Sequence, residues 1–443
     1  MKKALIIGLG QSGRAAADVL LLEGYQVFAA DAFHETLSLQ QWFSLQDPSK
    51  VHKLQDRPVE DIASYALAIV SPGIAKDHPL YKQVREAGIP CQGEAEFALQ
   101  KLHQKSIGIT GSNGKTTLAV FLEHLLHEGG YSAKAIGNVG FPFSKYLLQQ
   151  NPSDILVAEL SSFQLETLTS PVFDYTVLLD ILPNHLDRHS SFEEYALTKL
   201  RLLRCMKSQG IAFVHPHVLQ RFHSEIEKEN RRIIPIFSGF SFSYQDSYLQ
   251  HPLKREYCHL MEIVKEKALG DELFYLAVAF SHEFSISHDR LLDAVKTFKK
   301  PPHRLEFVAK LKEVRFVNDS KATTPEAVLH AVKTVQGKIC LIVGGKNKGL
   351  SFDAWRQGLK PYVEQVIAIG ESKELIRETL GAWYDVILCH DLEEAVDRGW
   401  KTASPGSTLL LSPGCASYDQ YKDYLHRGEH FKEIVTALGK RDL

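Results

Sequence analysis

The chain has 443 residues, of which 44% are hydrophobic and 23% charged, and its formal net charge is −2. These values are typical of a globular protein with two or three domains. They argue against a general binder of nucleic acid or anionic membranes, because no overall positive field is present. The six cysteines are scattered without a C-x-x-C pair, so we expect reduced thiols in a cytosolic enzyme and no zinc or disulfide framework.

The N-terminal region alternates strand and helix patterns. Strands are predicted at 3–8, 26–30 and 65–70, with a helix near 13–23. This β–α–β order predicts a parallel sheet. The first residues are lysine-rich and apolar, but Gln11 and Arg14 follow without the cleavage pattern of a signal peptide. No apolar stretch approaches the roughly 18 residues that a membrane span requires.

A glycine-rich turn follows the first strand. Gly8 to Gly13 reads G-x-G-x-x-G, and Asp31 ends the next strand. This pattern binds dinucleotides in many proteins, but the same backbone geometry serves any diphosphate or ribose. A dehydrogenase would also have to explain a second phosphate-binding motif later in the chain, so that interpretation is disfavoured.

The second motif is the strongest local signal. A strand at 106–110 enters it and a helix at 115–128 leaves it, as phosphate-binding loops require. Its residues are Gly111, Ser112, Asn113, Gly114, Lys115, Thr116 and Thr117. Lys115 is suited to outer phosphates and Thr116 to Mg²⁺. Ile109 stands where the general motif has glycine, so this is a variant loop.

Polar residues follow two further predicted strands at 154–160 and 174–180. Glu159 is a possible Mg²⁺ ligand, with a surface glutamate as the alternative. Asn184 to His189 places two histidines, an aspartate and an arginine within six residues. This cluster could bind metal or phosphate, or form a polar capping loop.

A third α/β unit follows Pro301 and Pro302, which resemble a linker. Its predicted strands are 314–317, 339–343, 366–369, 385–389 and 408–411. Arg304 suits a phosphate because its guanidinium is a planar fork. Asp319, Lys321 and the segment 412–417 also follow strands, where ligands bind in open α/β sheets.

Taken together, these motifs resemble the Mur ligase family. The ordered set is GSNGKTT, ELSSFQLE, NHLDRH, PHRLE, NDSKAT and SPGCASYDQY. The SKAT element and the segment SPGIA at 71–75 resemble the members that join D-glutamate to UDP-N-acetylmuramoyl-L-alanine. The resemblance implies an ATP-dependent, Mg²⁺-assisted ligase of peptidoglycan precursor synthesis, acting through an acyl phosphate. It also implies a cytoplasmic monomer without nucleic-acid or membrane partners.

The resemblance implies an α/β fold of three domains. A Rossmann-like domain at 1–94 would bind the UDP substrate, a central P-loop ATPase-type domain at 95–299 would bind ATP, and a Rossmann-like domain at 300–443 would bind the amino acid.

The resemblance also assigns site residues. ATP would be bound by 111–117, Arg304 and Asp319. The UDP substrate would be bound by Ser12, Asp31, Gly73, Asn138 and His185. D-glutamate would be bound by Lys321, Thr323, Lys348, Ser417 and Tyr424. Metal ligands would be Thr116, Glu159, His185 and Lys199. The catalytic set would be Lys115, His185, Lys199 and Lys321.

Lys199 lies in the apolar stripe of a predicted helix. Ser191 and Glu194 resemble a capping box, and Thr198 is expected on the opposite, polar face. Without the family resemblance, the expected role of an inward-facing lysine is a snorkelling side chain or a partner of a nearby carboxylate. The family resemblance instead favours a carbamate, formed when a neutral amine adds CO₂.

The chain departs from the family pattern at 270–274. The family has His-Asn near here for nucleotide contact, whereas this chain reads Gly-Asp-Glu-Leu-Phe. The segment 215–270 also matches poorly. Two alternatives therefore stay open: a ligase for another amino acid, and a nucleotide-binding protein that has lost ligation.

Overall fold

The computed structural model describes residues 1–31, 37–150, 152–185, 188–236, 260–264, 267, 269–335, 337–347 and 349–441. Within them the strands form three sheets, each flanked by helices. The predicted α/β class with a largely parallel arrangement is confirmed.

The first sheet has the strand order β3-β2-β1-β4-β5 and is parallel throughout. Its strands are β1 Lys3–Ile7, β2 Gln26–Ala30, β3 Val51–Leu54, β4 Tyr65–Val70 and β5 Cys91–Gly93. Because β1 is central and covered on both faces, its apolar run is continuous rather than alternating.

The second sheet has the order β11-β10-β9-β6-β8-β7 and is also parallel throughout. Its strands are β6 Lys105–Thr110, β7 Ala133–Gly137, β8 Ile155–Glu159, β9 Phe173–Leu178, β10 Met206–Val214 and β11 Arg232–Pro235. Strand β6 lies between β8 and β9, so the residues after these three strands share one edge.

The third sheet has the order β12-β13-β17-β14-β15-β16. Its strands are β12 Glu306–Leu311, β13 Val314–Asn318, β14 Ile339–Gly344, β15 Val363–Ile369, β16 Val386–Leu388 and β17 Thr408–Leu411. Only the pair β12–β13 is antiparallel among the pairings described for this sheet. The sequence did not predict β12, because its half-exposed, mixed pattern lacks the apolar run of the buried strands.

Helices connect most of the parallel strands, because a parallel pair requires a long crossover connection. The α-helices are Gln11–Leu22, Leu37–Ser44, Pro79–Glu86, Glu94–Leu99, Lys115–Glu128, Phe143–Leu147, Ser162–Leu165, Phe192–Leu200, Pro216–Arg221, His223–Glu227, Asp271–Glu283, His288–Thr297, Pro325–Thr334, Trp355–Gly358, Lys373–Leu380, Leu392–Thr402 and Tyr424–Arg441. Short 3₁₀ turns lie at Ile62–Ser64 and Arg201–Leu203. Of the helices that the structure describes, none has both the length and the hydrophobicity that crossing a bilayer demands.

The core consists of apolar layers on the faces of the sheets. In the first sheet, Ile6 and Ile69 point to one layer while Leu5 and Val70 point to the other. This division follows from the two-residue period of strands. In the third sheet, Trp355 is fully buried in one layer, where its indole N–H donates to the carbonyl of Pro325 at 2.9 Å.

The first two sheets belong to one compact unit and the third sheet to another. The second unit also includes His185 and His189. The domain limits at 94/95 and 299/300 remain predictions, although the three sheets fall within the three predicted ranges. Observed strand ends differ from the predicted ones by a few residues at most.

Candidate active site

The phosphate loop, Gly111–Thr117, joins β6 to the helix Lys115–Glu128. Gly114 precedes the helix with a φ of +79°, a conformation that favours glycine. The Lys115 Nζ donates to the carbonyls of Gly111 and Ser112, at 2.8 and 2.9 Å. The ammonium is thereby held over the loop, where backbone N–H groups and the helix N-terminus favour an anion.

Glu159, the last residue of β8, lies beside this loop. One of its carboxylate oxygens accepts from the Thr116 hydroxyl and the other from the Asn138 side-chain amide, both at 2.7 Å. Glu159 is 1% exposed, so the alternative of a surface glutamate is wrong. Asn138 lies after β7 in the same sheet; its predicted contact with the UDP substrate stays a prediction.

Lys199 is also buried here, with 1% exposure, on the helix Phe192–Leu200. Its Nζ donates to the Thr110 hydroxyl at 3.3 Å and lies 4.9 Å from the centre of the Tyr195 ring. Burial, and then repulsion from Lys115, hold the pKa of Lys199 well below its usual range, although Glu159 opposes the shift. The expected inward orientation is confirmed, whereas Thr198, expected on the polar face, is buried.

The turn after β1 is built by close backbone contacts. A Cβ on Gly13 would lie 1.9 Å from the Gly8 carbonyl oxygen, so only glycine fits there. Asp31 accepts the Leu9 N–H through Oδ2 at 2.5 Å, which ties the turn to the end of β2. Ser12 lies in the first turn of the following helix, and Gly73 is exposed after β4. Their substrate contacts remain predictions.

Asp319, directly after β13, organises a polar cluster in the third sheet. It accepts the Ser412 hydroxyl at 2.9 Å and the Leu305 N–H at 3.1 Å. Burial raises the pKa of Asp319 to about 7, against these hydrogen bonds and the charges of Arg304 and Lys300. Burial likewise lowers the pKa of Lys300 to about 8.

Arg304 lies between two residues in the left-handed region. His303 has a φ of +62° and Leu305 a φ of +48°, conformations that non-glycine residues adopt at an energetic cost. His303 is 1% exposed, and its Nδ1 lies 2.9 Å from the Asn318 Nδ2. This packing, together with the Leu305–Asp319 hydrogen bond, fixes the backbone on both sides of Arg304.

The predicted D-glutamate residues are partly brought together. The Lys321 Nζ lies 3.9 Å from the centre of the Tyr424 ring, within cation–π distance. Ser417 is buried and Thr323 is partly exposed. Lys348 lies outside the described residues, so its role stays a prediction.

His185 adopts a φ of +55°. Its N–H donates to the Asn184 side chain at 2.8 Å, and its carbonyl accepts the N–H of His189 at 2.9 Å. Because it belongs to the other compact unit, its proposed place among the metal ligands and the UDP-substrate ligands of the first unit stays a prediction. Leu186 and Asp187 of the same motif lie outside the described residues.

Three family models match the chain consecutively. A MurD-like N-terminal domain matches residues 2–93, a Mur ligase middle domain matches 109–258, and a Mur ligase glutamate ligase domain matches 303–415. A protein of Protochlamydia amoebophila (strain UWE25) named UDP-N-acetylmuramoylalanine--D-glutamate ligase is 37% identical over 438 residues, covering 99% of this chain and 98% of that protein. The chain belongs to the Mur ligase family.

Other comparisons agree with this membership. A protein with the same name from Caldanaerobacter subterraneus subsp. tengcongensis is 31% identical over 99% of this chain and 98% of that protein. The MurF ligase of Thermotoga maritima, solved in complex with ADP, has a TM-score of 0.59 at 16% identity, covering 100% of this chain and 96% of that one. The MurC ligase of the same organism has a TM-score of 0.56 at 15% identity, covering 99% and 100%. These structures support the three-domain Mur ligase fold.

The departure from the Mur ligase pattern at 270–274 has a structural explanation. Asp271 begins a helix that runs to Glu283, and Leu273 and Phe274 point into the core with 5% and 1% exposure. These two side chains pack rather than face a ligand. In this Mur ligase they therefore serve the packing of the helix Asp271–Glu283.

Two residues near the predicted site residues of this Mur ligase carry no sequence motif. The Tyr195 hydroxyl lies 3.1 Å from that of Ser112, which links the Lys199 helix to the phosphate loop. Arg427 is 1% exposed and donates to the Ser320 hydroxyl and to the carbonyls of Ser320 and Cys415, at 2.9–3.1 Å. A tyrosine or arginine on a helix carries no motif of its own. Only its contacts identify it.

Proposed function

We propose that this chain joins D-glutamate to UDP-N-acetylmuramoyl-L-alanine with hydrolysis of ATP, in peptidoglycan precursor synthesis. The use of ATP is supported by the phosphate loop, in which the Thr116 hydroxyl donates a hydrogen bond to the buried Glu159 carboxylate. The acceptor half rests on full-length similarity to proteins named as D-glutamate ligases.

A carboxylate is a poor electrophile, so the substrate carboxylate must first be activated. Transfer of the ATP γ-phosphoryl group gives an acyl phosphate, and the D-glutamate amine then displaces phosphate through a tetrahedral intermediate. Lys115, fixed over the loop, would neutralise the charge of the transferring group. Positioning and charge neutralisation of this kind supply most of the catalysis in phosphoryl transfer.

The residues beside the loop fit Mg²⁺. Thr116 and Glu159 offer adjacent oxygen donors, which suit a small hard cation. When bound, Mg²⁺ would supply positive charge to the phosphate oxygens. His185 and carbamylated Lys199 are the proposed ligands of a second ion.

The environment of Lys199 supports carbamylation. Burial and repulsion from Lys115 hold the pKa of its amine well below the usual range, which favours the neutral, nucleophilic form that can add CO₂. Addition of CO₂ forms the N–C bond and releases one proton, which leaves a carbamate with two oxygens for a cation. The negative carbamate would also remove the repulsion between Lys199 and Lys115 that the free ammonium has.

The third sheet is the proposed binding region for D-glutamate. Lys321, Thr323, Lys348, Ser417 and Tyr424 would surround it, while Arg304 and Asp319 would contact ATP. We further propose that the enzyme is a monomer and that it acts in the cytoplasm, where ATP is available.

Phosphate release tests this function directly. Purified protein would be incubated with ATP, Mg²⁺, UDP-N-acetylmuramoyl-L-alanine and single amino acids from a panel that includes L-glutamate. Release that needs both the UDP substrate and D-glutamate is expected. Release with a different amino acid would reassign the acceptor, and ATP binding without release would indicate a protein that has lost ligation.

A further inference from the structure

Three side chains of the second sheet converge at a place that the proposed ligase chemistry does not use. Asp180 lies just after β9, and His215 and His217 lie just after β10. One ligand atom from each lies within 4.8 Å of the other two. We call Asp180, His215 and His217 the Asp–His cluster.

The separations in the Asp–His cluster suit ligands of one ion. The His215 Nδ1 lies 3.6 Å from Asp180 Oδ1, and the His217 Nδ1 lies 3.5 Å from Asp180 Oδ2. Tetrahedral zinc with bonds of about 2.0–2.1 Å places its ligand atoms roughly 3.4 Å apart. The two histidine nitrogens face different oxygens of Asp180. Because one ligand atom from each residue lies within 4.8 Å of the other two, a modest side-chain rearrangement would bring three ligand atoms onto one ion.

The surroundings also have the pattern of a metal site. His215 is 5% exposed, and its other ring nitrogen, Nε2, lies 3.7 Å from the Glu272 carboxylate. A metal-bound histidine usually donates its second N–H to such a carboxylate, which fixes the ring. The Ile181 N–H donates to Asp180 Oδ1 at 2.9 Å, which orients that side chain. The His217 side chain is 75% exposed, so an ion can enter from solvent.

We propose that the Asp–His cluster binds a divalent transition-metal ion of the zinc type, with a fourth position open. Imidazole nitrogens select Zn²⁺ and its neighbours, whereas Mg²⁺ requires oxygen ligands. The site is therefore distinct in chemistry from the Thr116–Glu159 pair. A bound ion would replace the 3.3 Å hydrogen bond in which the backbone N–H of His217 donates to the His215 Nδ1 and caps the helix Pro216–Arg221.

Asp180 also connects this site to the phosphate loop. Its carbonyl accepts the Ser112 N–H at 2.8 Å, so the metal ligand and the loop share one residue. Nevertheless, binding needs neither ATP nor substrate. The inference can therefore be tested separately from the proposed ligase activity.

The test uses the full chain, stripped with a chelator and titrated with Co²⁺ in excess Mg²⁺ without nucleotide. We expect one equivalent to bind with the visible absorption of a cobalt–imidazole site, and Zn²⁺ to displace it. His217→Ala should abolish this absorption or weaken Co²⁺ binding at least ~10-fold, and Glu272→Gln should weaken it by about 10-fold. The matched control is His223→Ala, because His223 is a similarly exposed histidine (68%), 3.4 Å from Glu227.

Two results would overturn the proposal. The first is equal Co²⁺ affinity of the wild type and His217→Ala. That result would show that the histidines only pair with Asp180 and cap the helix Pro216–Arg221. The second is Co²⁺ binding that occurs only when Mg²⁺ is omitted, which would place the ion at the oxygen site. His217→Gln, with circular dichroism of each variant, separates loss of the ligand from loss of the fold.

Discussion

A lysine ammonium inside a protein needs a negative partner or a lowered pKa. At Lys199, burial and the nearby Lys115 outweigh the attraction of Glu159, so the pKa falls. The hydroxyl of Thr110 and the face of Tyr195 are weak substitutes for water. These contacts leave the amine suited to carbamylation rather than to a structural ion pair.

Replacement of Lys199 by alanine should remove most ligase activity. The carbamate oxygens would be lost, and the loss of one such charged group typically costs about 10²–10³ in rate. Acetate or formate should partly restore turnover by occupying the space of the carbamate. Steady-state phosphate release measures both effects.

The control for this experiment is Lys207→Ala. Lys207 is a half-exposed lysine, paired with Asp174 at 2.9 Å, and its loss should leave activity nearly unchanged. Full activity of the Lys199→Ala enzyme would contradict the carbamate. So would an active, ATP-bound crystal with a bare amine at this position.

Leu273→Asn should destabilise the protein rather than improve nucleotide binding. The side chain is 5% exposed on the helix Asp271–Glu283, so an amide there would be buried at a cost of about 1–3 kcal/mol. Thermal unfolding and the ATP Michaelis constant should be compared with Asp271→Asn, an exposed position on the same helix. A large gain in turnover for Leu273→Asn would instead indicate an impaired nucleotide site.

At the level of elements, two short helices meet at a buried carboxylate. Glu94 begins the helix Glu94–Leu99 and accepts the N–H of Ser144, in the first turn of the helix Phe143–Leu147, at 2.6 Å. The two helix N-termini favour the ionised form of Glu94. The loss of hydration on burial is the larger effect, and it raises the pKa of Glu94 to about 7. The pKa values of two carboxyl groups on one helix are therefore shifted in opposite directions. At Glu96, hydrogen bonds from Ser170 and Thr169 outweigh burial and lower the pKa.

Glu94→Gln should change how stability depends on pH. The neutral form of Glu94 stabilises the fold at acidic pH, and this contribution is lost as the pH rises from 4.5 through about 7. Loss of this contribution lowers the free energy of unfolding by roughly 3 kcal/mol at most, because one pKa unit corresponds to about 1.4 kcal/mol. Amide hydrogen exchange of 94–99 and 143–147 should increase with pH less steeply in the variant, after correction for intrinsic exchange.

Glu96→Gln is the matched comparison on the same helix. Because the pKa of Glu96 is lowered, its carboxylate stabilises at neutral pH and the contribution is lost as the pH falls. The variant should therefore lose protection at neutral pH. Identical pH profiles for the two variants would contradict the assignment of opposite shifts.

Most central strands of the three sheets were predicted from the sequence, whereas β3, β5, β7, β10, β11 and β12 were not. Ile339 and Leu409 begin continuous apolar runs in β14 and β17, and such runs are typical of strands buried on both faces. Strand β12 lacks such a run, and so its pairing depends on β13 rather than on its own pattern. The phosphate loop was predicted from its motif, whereas the Asp–His cluster brings together residues 35 and 37 positions apart, which only the sheet order makes adjacent.

At the scale of the whole molecule, each ligand is assigned mainly to the residues of one sheet. The turn after β1, held by the Leu9–Asp31 hydrogen bond, is assigned to the UDP substrate. The loop after β6 is assigned to ATP, together with Arg304 and Asp319. The residues assigned to D-glutamate are Lys321, Thr323, Lys348, Ser417 and Tyr424. Such a division makes the three Michaelis constants separable by mutation.

Asp31→Ala should raise the Michaelis constant for the UDP substrate and leave that for ATP near its wild-type value. Asp31→Asn is the control, because its amide oxygen can still accept the Leu9 N–H while the negative charge is lost. A defect in the alanine variant alone would indicate that the carboxylate shapes the turn. Equal rises for both substrates would show that the ligands are divided incorrectly.

The position of β17 in the third sheet has a consequence for protein synthesis. This strand, Thr408–Leu411, lies between β13 and β14, although it is made last. A nascent chain that has not yet reached residue 408 would expose two unpaired inner strand edges, which are prone to aggregate. We therefore expect this sheet to assemble only after β17 has left the ribosome, whereas the first sheet can close once β5 emerges. Proteolysis of stalled ribosomal complexes should show early protection of the first sheet and late protection of the third.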